Sequence, residues 1–418
     1  MKLKKVSSLV FALAMAISVT VSASSSSAKT VTLKYSGVSV GQDSVQKAID
    51  AFEAANPNIK VNATFAGTEQ YQVTIRTQLA SGTAPDLFFV QPGNGNPTTM
   101  RQLAPPGYLR DLAYLPFSKK VPKGADIVTS INGKRYFLPM TVAGIGVIYN
   151  EKAVTDAKAT LPKTWTEVLQ FCDTAKDAGK VAFALGAQTL WTTQLINYAL
   201  VPTLVFRTDP KFDEKLTAGK TTFSASAGWR SAFTKYQDML KRGCFNADPN
   251  GTSFETSMSL VAKGDALAIV QVTAILPAIQ GMAPDSKFGM FALPANDKPK
   301  ETWMPAAVGG GFGINAKTKN LAAAEKFINF MAKEKIMNEY AAANAAFPAI
   351  PSGKFKSDPA LKFMETLVKA GKSYPFMDQM WPNAKIQPAQ YDGIQLMLAG
   401  SGTVANILSL MDAAAKEK

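Results

Sequence analysis

The chain has 418 residues, with 45 basic against 31 acidic side chains. That is too long for one ordinary domain on a prior of about 100–200 residues each. It contains no histidine, which removes Ser-His-Asp and Cys-His catalysis and the commonest metal ligand together. Its two cysteines, Cys172 and Cys244, cannot build a structural zinc site alone. In an oxidising compartment they form one disulfide or stay as two buried thiols, and sequence does not supply the Cα separation that decides between these.

The N-terminus reads as an export signal over residues 1–28. Lys2, Lys4 and Lys5 precede an apolar stretch at 10–19, and Val21-Ser22-Ala23 or Ser26-Ser27-Ala28 offers a small-residue cleavage site. The stretch is shorter than the roughly 20 apolar residues of a membrane span. No later apolar run is long enough, so the mature chain is expected to be soluble and secreted. Without the signal lysines 42 basic residues face 31 acidic ones, a formal charge of about +11. The lysines are scattered, as in Lys326, Lys333 and Lys335, and no basic stripe interleaved with aromatics points to nucleic acid.

Residues 45–90 carry the clearest pattern. Val45, Ala48, Ile49, Phe52 and Ala55 form one helical stripe, which Asn56-Pro57-Asn58 stops. Ile59, Val61, Ala63 and Phe65 alternate as a strand; Tyr71, Ile75 and Leu79 form a second stripe; Leu87-Phe88-Phe89-Val90 is wholly apolar, as in a strand covered on both faces. Alternating strand and helix predicts an α/β fold on a parallel sheet, with a ligand crevice at its carboxyl edge. Further on, the spacing predicts helices over 165–178, 192–204, 227–240, 321–333 and 401–414 and buried strands over 266–272 and 309–315.

"AFEAANPNIKV" and "QLASGTAPDLFFV" resemble the opening of family 1 extracellular solute-binding proteins, the sugar-capturing components of bacterial ABC importers of the maltose-binding-protein type. Matches continue in order through Gly107-Tyr108-Leu109-Arg110-Asp111-Leu112, Ile148-Tyr149-Asn150-Glu151-Lys152, Pro162-Lys163-Thr164-Trp165, Gly264-Asp265-Ala266-Leu267 and Gly309-Gly310-Gly311-Phe312. The resemblance implies a two-lobe periplasmic-binding-protein fold (type II, Venus-flytrap) with a hinge. Lobe one takes residues 29–140 with 289–334, and lobe two 141–288 with 335–418; segment 287–294 is the return crossing. It also implies a monomer without cofactor or metal, with a carbohydrate ligand and an ABC permease as partners. With no cysteine ahead of Cys172 to carry a lipid anchor, a periplasmic or released protein is expected.

A sugar pocket needs aromatic faces for the C–H side of a pyranose and amides or carboxylates for its hydroxyls, since a buried unpaired hydroxyl costs about 1–3 kcal/mol. Such groups belong on loops at strand ends. The candidates are Gln42 after the first strand, Glu69 before the second helix, and Gln91 and Asn94 in the loop after Val90. Asp43 suits a helix cap better. Of five tryptophans, Trp165 and Trp229 read as core, whereas Trp191, Trp303 and Trp381 lie in loops and are expected at the cleft, with Gly310 and Tyr391. Where relatives carry an Asn-Gly-x-Trp turn this chain has Gln271-Val272-Thr273-Ala274, so Gln271 is expected to serve the cleft instead. The crossing Thr141-Val142-Ala143-Gly144 lacks the acid of maltodextrin-type relatives. Two rivals stand beside a sugar binder: an anionic or phosphorylated solute, motivated by the positive charge, and a secreted carbohydrate-active enzyme, for which no carboxylate pair stands out. An iron carrier lacks histidine and any evident tyrosine pair.

Overall fold

A computed structural model describes residues 30–417; the export signal read from the sequence lies outside them. The first sheet runs in the order Ile59–Ala66, Val31–Val38, Leu87–Val90, Gly311–Ile314, Leu138–Pro139. The first three strands are parallel, with Leu33 opposite Val61 and Tyr35 opposite Leu87. Gly311–Ile314 joins antiparallel, Phe312 opposite Phe89. Helix Gln42–Ala55 buries Val45, Ala48, Ile49 and Phe52 of the predicted stripe against this sheet, while Ala55, in its last turn, is exposed. The Asn56 amide closes it by donating to the Phe52 carbonyl at 2.8 Å. Helix Thr68–Ser81 covers the other face through Tyr71, Ile75 and Leu79, and stops at Gly82 in the left-handed region (φ 75°).

The second sheet is ordered Ser373–Tyr374, Met304–Val308, Thr141–Asn150, Ala266–Val272, Val181–Ala184. Its axis is the ten-residue strand Thr141–Asn150, which also pairs with Phe288–Phe291 and Phe347–Pro348. Helices Trp165–Asp177 and Ala227–Arg242 bury Trp165, Phe171, Trp229, Phe233 and Tyr236 beneath it. Thr164 and Ser226 cap them, each accepting a backbone N–H in the first turn. A disulfide joins Cys172 to Cys244, Cα atoms 4.9 Å apart, settling the alternative the sequence left open.

Two segments sit elsewhere than the sequence suggests. Phe288–Phe291 stays in the second sheet, Phe291 opposite Val147. The chain returns later, through Met304–Val308, whose Val308 pairs with Val142 just before Gly311 enters the first sheet. Helix Glu334–Ala343 packs Met337 and Tyr340 into the first core, Tyr340 meeting Phe312 at 6.2 Å. In both cases local apolar spacing was right, but the partner sheet is chosen by non-local pairing that spacing does not encode. The predicted helix 192–204 is a short 3-10 turn, Leu190–Thr192, then a helix Leu195–Val201 running into a wider π turn at Pro202–Phe206, because Pro202 has no N–H to donate to the helical ladder. Among the described residues no helix is long and apolar enough to cross a membrane.

Candidate functional site

The first sheet's loops and the second sheet's helix ends face each other across a cavity of about 240 Å³. Its floor is the start of the long second-sheet strand Thr141–Asn150, with Thr141, Ala143 and Ile145. One wall belongs to the first core: Phe89 and Gln91 at the end of strand Leu87–Val90, Gln72 on helix Thr68–Ser81, Gly310, and Tyr340 and Asn344 at the end of helix Glu334–Ala343. The opposite wall is aromatic and amidic, made by Trp191, Gln194 and Tyr198 together with Phe376, Asp378, Gln387 and Tyr391.

Several of these groups are locked in place. Asn96 donates to the Gln91 side-chain carbonyl, and its own carbonyl accepts from the Thr98 backbone N–H at 3.0 Å and hydroxyl at 2.9 Å. Gln387 donates to Gln194 at 3.3 Å and to Asp378 at 3.4 Å. Gln379 donates to the Val308 carbonyl at 3.0 Å while its own side-chain carbonyl is buried without a protein partner. The Tyr198 hydroxyl is likewise buried and unpartnered. Trp191 packs on Phe254 with ring centroids 5.1 Å apart, which fixes its indole plane at the cavity edge.

Asp378 is half-buried, and the desolvation of its carboxyl pushes its pKa up to about 6 against the lowering effect of its hydrogen bonds. Burial, followed by the nearby Asp378 charge, holds the hydroxyls of Tyr198 and Tyr391 well above the usual phenol value, so both stay donors. Asp378 is the sole acid lining the cavity among the described residues, and neither lysine nor arginine lines it. No group of three or more potential metal ligands occurs among the described residues.

Of the ten residues expected at the site, Gln91, Trp191, Gly310 and Tyr391 line the cavity. The other six lie elsewhere. Trp381 is 1 % exposed, set into the second core against Tyr198 and Trp229 at 6.1 and 6.3 Å. Trp303 exchanges backbone hydrogen bonds with the Thr203 hydroxyl. Gln271 is buried and turns back to accept the Val272 N–H at 3.0 Å. Gln42 is exposed at the start of its helix. Glu69 and Asn94 instead tie the two walls together. Glu69 accepts the Trp191 backbone N–H at 3.3 Å. Asn94 donates to the Trp381 and Pro382 carbonyls at 3.1 and 2.7 Å. Beside Asn94, Gly93 and Gly95 press on Gln379 and Asp378 with no room for a Cβ.

Sequence reasoning missed Gln194, Tyr198, Asp378 and Gln387. Helical spacing was the available signal for three of them: Gln387 lies four residues before Tyr391 on helix Ile386–Leu398, and Gln194 and Tyr198 are also four apart. Asp378 belongs to a short 3-10 turn, Met377–Met380, with no periodicity to read.

A cleft between two α/β bodies joined by several chain crossings, lined by rings, amides and one carboxyl group, is the arrangement of the two-lobe solute-binding fold. The chain belongs to the bacterial extracellular solute-binding proteins, whose family model matches residues 39–338. It is 25% identical over 364 residues to the multiple sugar-binding protein of Streptococcus mutans, covering 84% of this chain and 83% of that one. Among solved structures, the solute-binding protein RafE in complex with raffinose superposes with a TM-score of 0.78 at 21% identity, covering 92% of this chain and all of that one. A substrate-binding protein of Listeria monocytogenes in complex with cycloalternan gives 0.75 at 19% identity, covering 93% and 99%. At these identities the structures establish a shared two-lobe fold.

Proposed function

We propose that this chain is the solute-capturing subunit of an ABC importer, binding a mono- or oligosaccharide between its lobes and handing it unmodified to a permease. The lining of the cavity carries the reading. Trp191, Tyr391, Phe376 and Tyr340 supply ring faces for a pyranose, while Gln91, Gln194, Gln387 and Asp378 supply donors and acceptors for its hydroxyls. The relatives named for sugars support it.

In this reading one lobe is built on each sheet. The hinge lies where the chain passes between them, near 139–141, 308–311 and 344–347. Ligand contacts shared by both walls favour the closed arrangement selectively, and that difference in affinity shifts the population. Only the closed form then offers a permease both lobe surfaces in register. Export to the periplasm or beyond follows from the N-terminal signal and the family.

The rivals fit less well. An anionic solute would enter a cavity lined by one carboxylate and no cation. Hydrolysis of a glycosidic bond uses two flanking carboxyl groups, and a single acid lines this cavity. Isothermal titration against a panel of neutral saccharides tests the proposal. Micromolar or tighter binding without turnover is expected; binding confined to peptides or polyamines, or turnover of any glycan, overturns it.

A further inference from the structure

The carboxylate of Asp378 has an unusual position. It lines the cavity, and no lysine or arginine forms an ion pair with it among the described residues. The side-chain donors beside it are neutral: the Tyr198 hydroxyl and the Gln387 amide, the latter at a long 3.4 Å. The titratable groups packed around it are the hydroxyls of Tyr198 and Tyr391, which stay protonated, with Glu69 beyond Tyr391. An ionised carboxylate withdrawn from water without a cationic partner is costly, and the cost is relieved by whatever donor or cation the cavity admits. The aromatic faces of Trp191, Tyr391 and Phe376 would add to the attraction for a cation. The Asp378 backbone is also not free to withdraw, because Gly95 of the opposite wall closes against it.

We propose that Asp378 sets the charge class of the ligand: the cavity takes neutral and amino sugars and turns away uronic acids and phosphorylated sugars. This rests on the carbohydrate reading above. A second negative charge a few ångströms from an ionised Asp378 meets repulsion with no cation in the lining to offset it, whereas an ammonium group in the same place gains attraction. The raised pKa of Asp378 adds a signature. Discrimination is strongest well above pH 6 and fades as the pH falls through about 6 and the carboxyl takes up its proton.

The test is titration calorimetry of the full mature chain at pH 7.5 and pH 5. The probes are matched trios on one skeleton: glucose, glucosamine and glucuronate, then galactose, galactosamine and galacturonate, each as monomer and 1,4-linked dimer. At pH 7.5 the acid should bind at least about tenfold more weakly than the neutral sugar, and the amine at least as well as the neutral sugar. At pH 5 the gap should narrow. Asp378→Asn should remove most of the gap at both pH values. A purely structural role for Asp378 would weaken all three members equally and leave their ratios unmoved. Equal wild-type affinity for acid and neutral sugar at pH 7.5 overturns the inference and leaves the carbohydrate reading standing. Failure of every saccharide to bind overturns both. Should Asp378→Asn not fold, the wild-type ratios at the two pH values still decide.

Discussion

Asp213 offers a sharp test of the electrostatics in the second core. It is 3 % exposed in the first turn of helix Phe212–Thr217. One of its carboxylate oxygens accepts the Tyr374 hydroxyl at 2.9 Å, and the other is buried without a protein partner. Tyr374 in turn stacks on Phe206 with centroids 3.6 Å apart, so the acid is walled in by rings. Burial raises its pKa from the ordinary carboxylate value to about 7, with the hydrogen bond from Tyr374 opposing and the charge of Asp209 adding to the rise. The folded chain therefore holds a proton between roughly pH 4 and 7 that the unfolded chain has released, and in that window stability falls as pH rises. A shift of about three units corresponds to about 4 kcal/mol once the group is ionised in both states, above pH 7. Asp213→Asn keeps an acceptor for Tyr374 and removes the charge. Its unfolding free energy should match the wild type near pH 4 and exceed it by up to about 4 kcal/mol at pH 8. Urea unfolding of both proteins at pH 4.5, 6 and 8 measures the difference directly, because titrations shared by the two cancel. A difference that stays flat with pH, or a variant less stable at pH 8, would refute the reasoning.

Three further outcomes are expected. Replacing both Cys172 and Cys244 with alanine releases a cross-link spanning 72 residues, which the chain-entropy model values at about 4 kcal/mol; denaturation with and without a reductant should show wild type falling to the variant's midpoint only when reduced. Trp191→Ala removes a ring at the cavity edge and should weaken saccharide binding about tenfold or more by calorimetry with little change in melting temperature, since its side chain is only half-buried. Asn94→Ala deletes two hydrogen bonds between the walls and leaves the Trp381 and Pro382 carbonyls unanswered, lowering the unfolding free energy by about 1–3 kcal/mol in urea titration.

The legible parts of this molecule are those whose burial is decided locally. The stripe Val45, Ala48, Ile49, Phe52 and the strand Leu87–Val90 each meet part of their partners nearby in the chain, around Val31–Val38, and periodicity located them although distant Gly311–Ile314, Phe327 and Phe330 complete the packing. Trp381 and Trp191 show where such reasoning ends. Both are loop tryptophans, but Trp381 meets Tyr198, Phe223 and Trp229 from three distant segments and vanishes into the core. Trp191 packs its ring on Phe254, gives its backbone N–H to Glu69 and stays half-buried at the cavity edge. Asn94 has the chemistry of a sugar ligand, yet its amide is spent on the opposite wall. Asp378 had no neighbour in sequence to mark it, and its character comes from Tyr198, Gln387 and Tyr391 gathered around it by the fold.

The interleaving of the two sheets has a bearing on how such a chain is made. The first sheet gains Gly311–Ile314 only after the whole stretch that threads through the second, and the second waits further still for Ser373–Tyr374. A ribosome therefore releases no contiguous piece that can finish folding by itself until synthesis is nearly over. For a precursor that must pass a translocation channel as an extended thread, that late completion keeps it in a passable state.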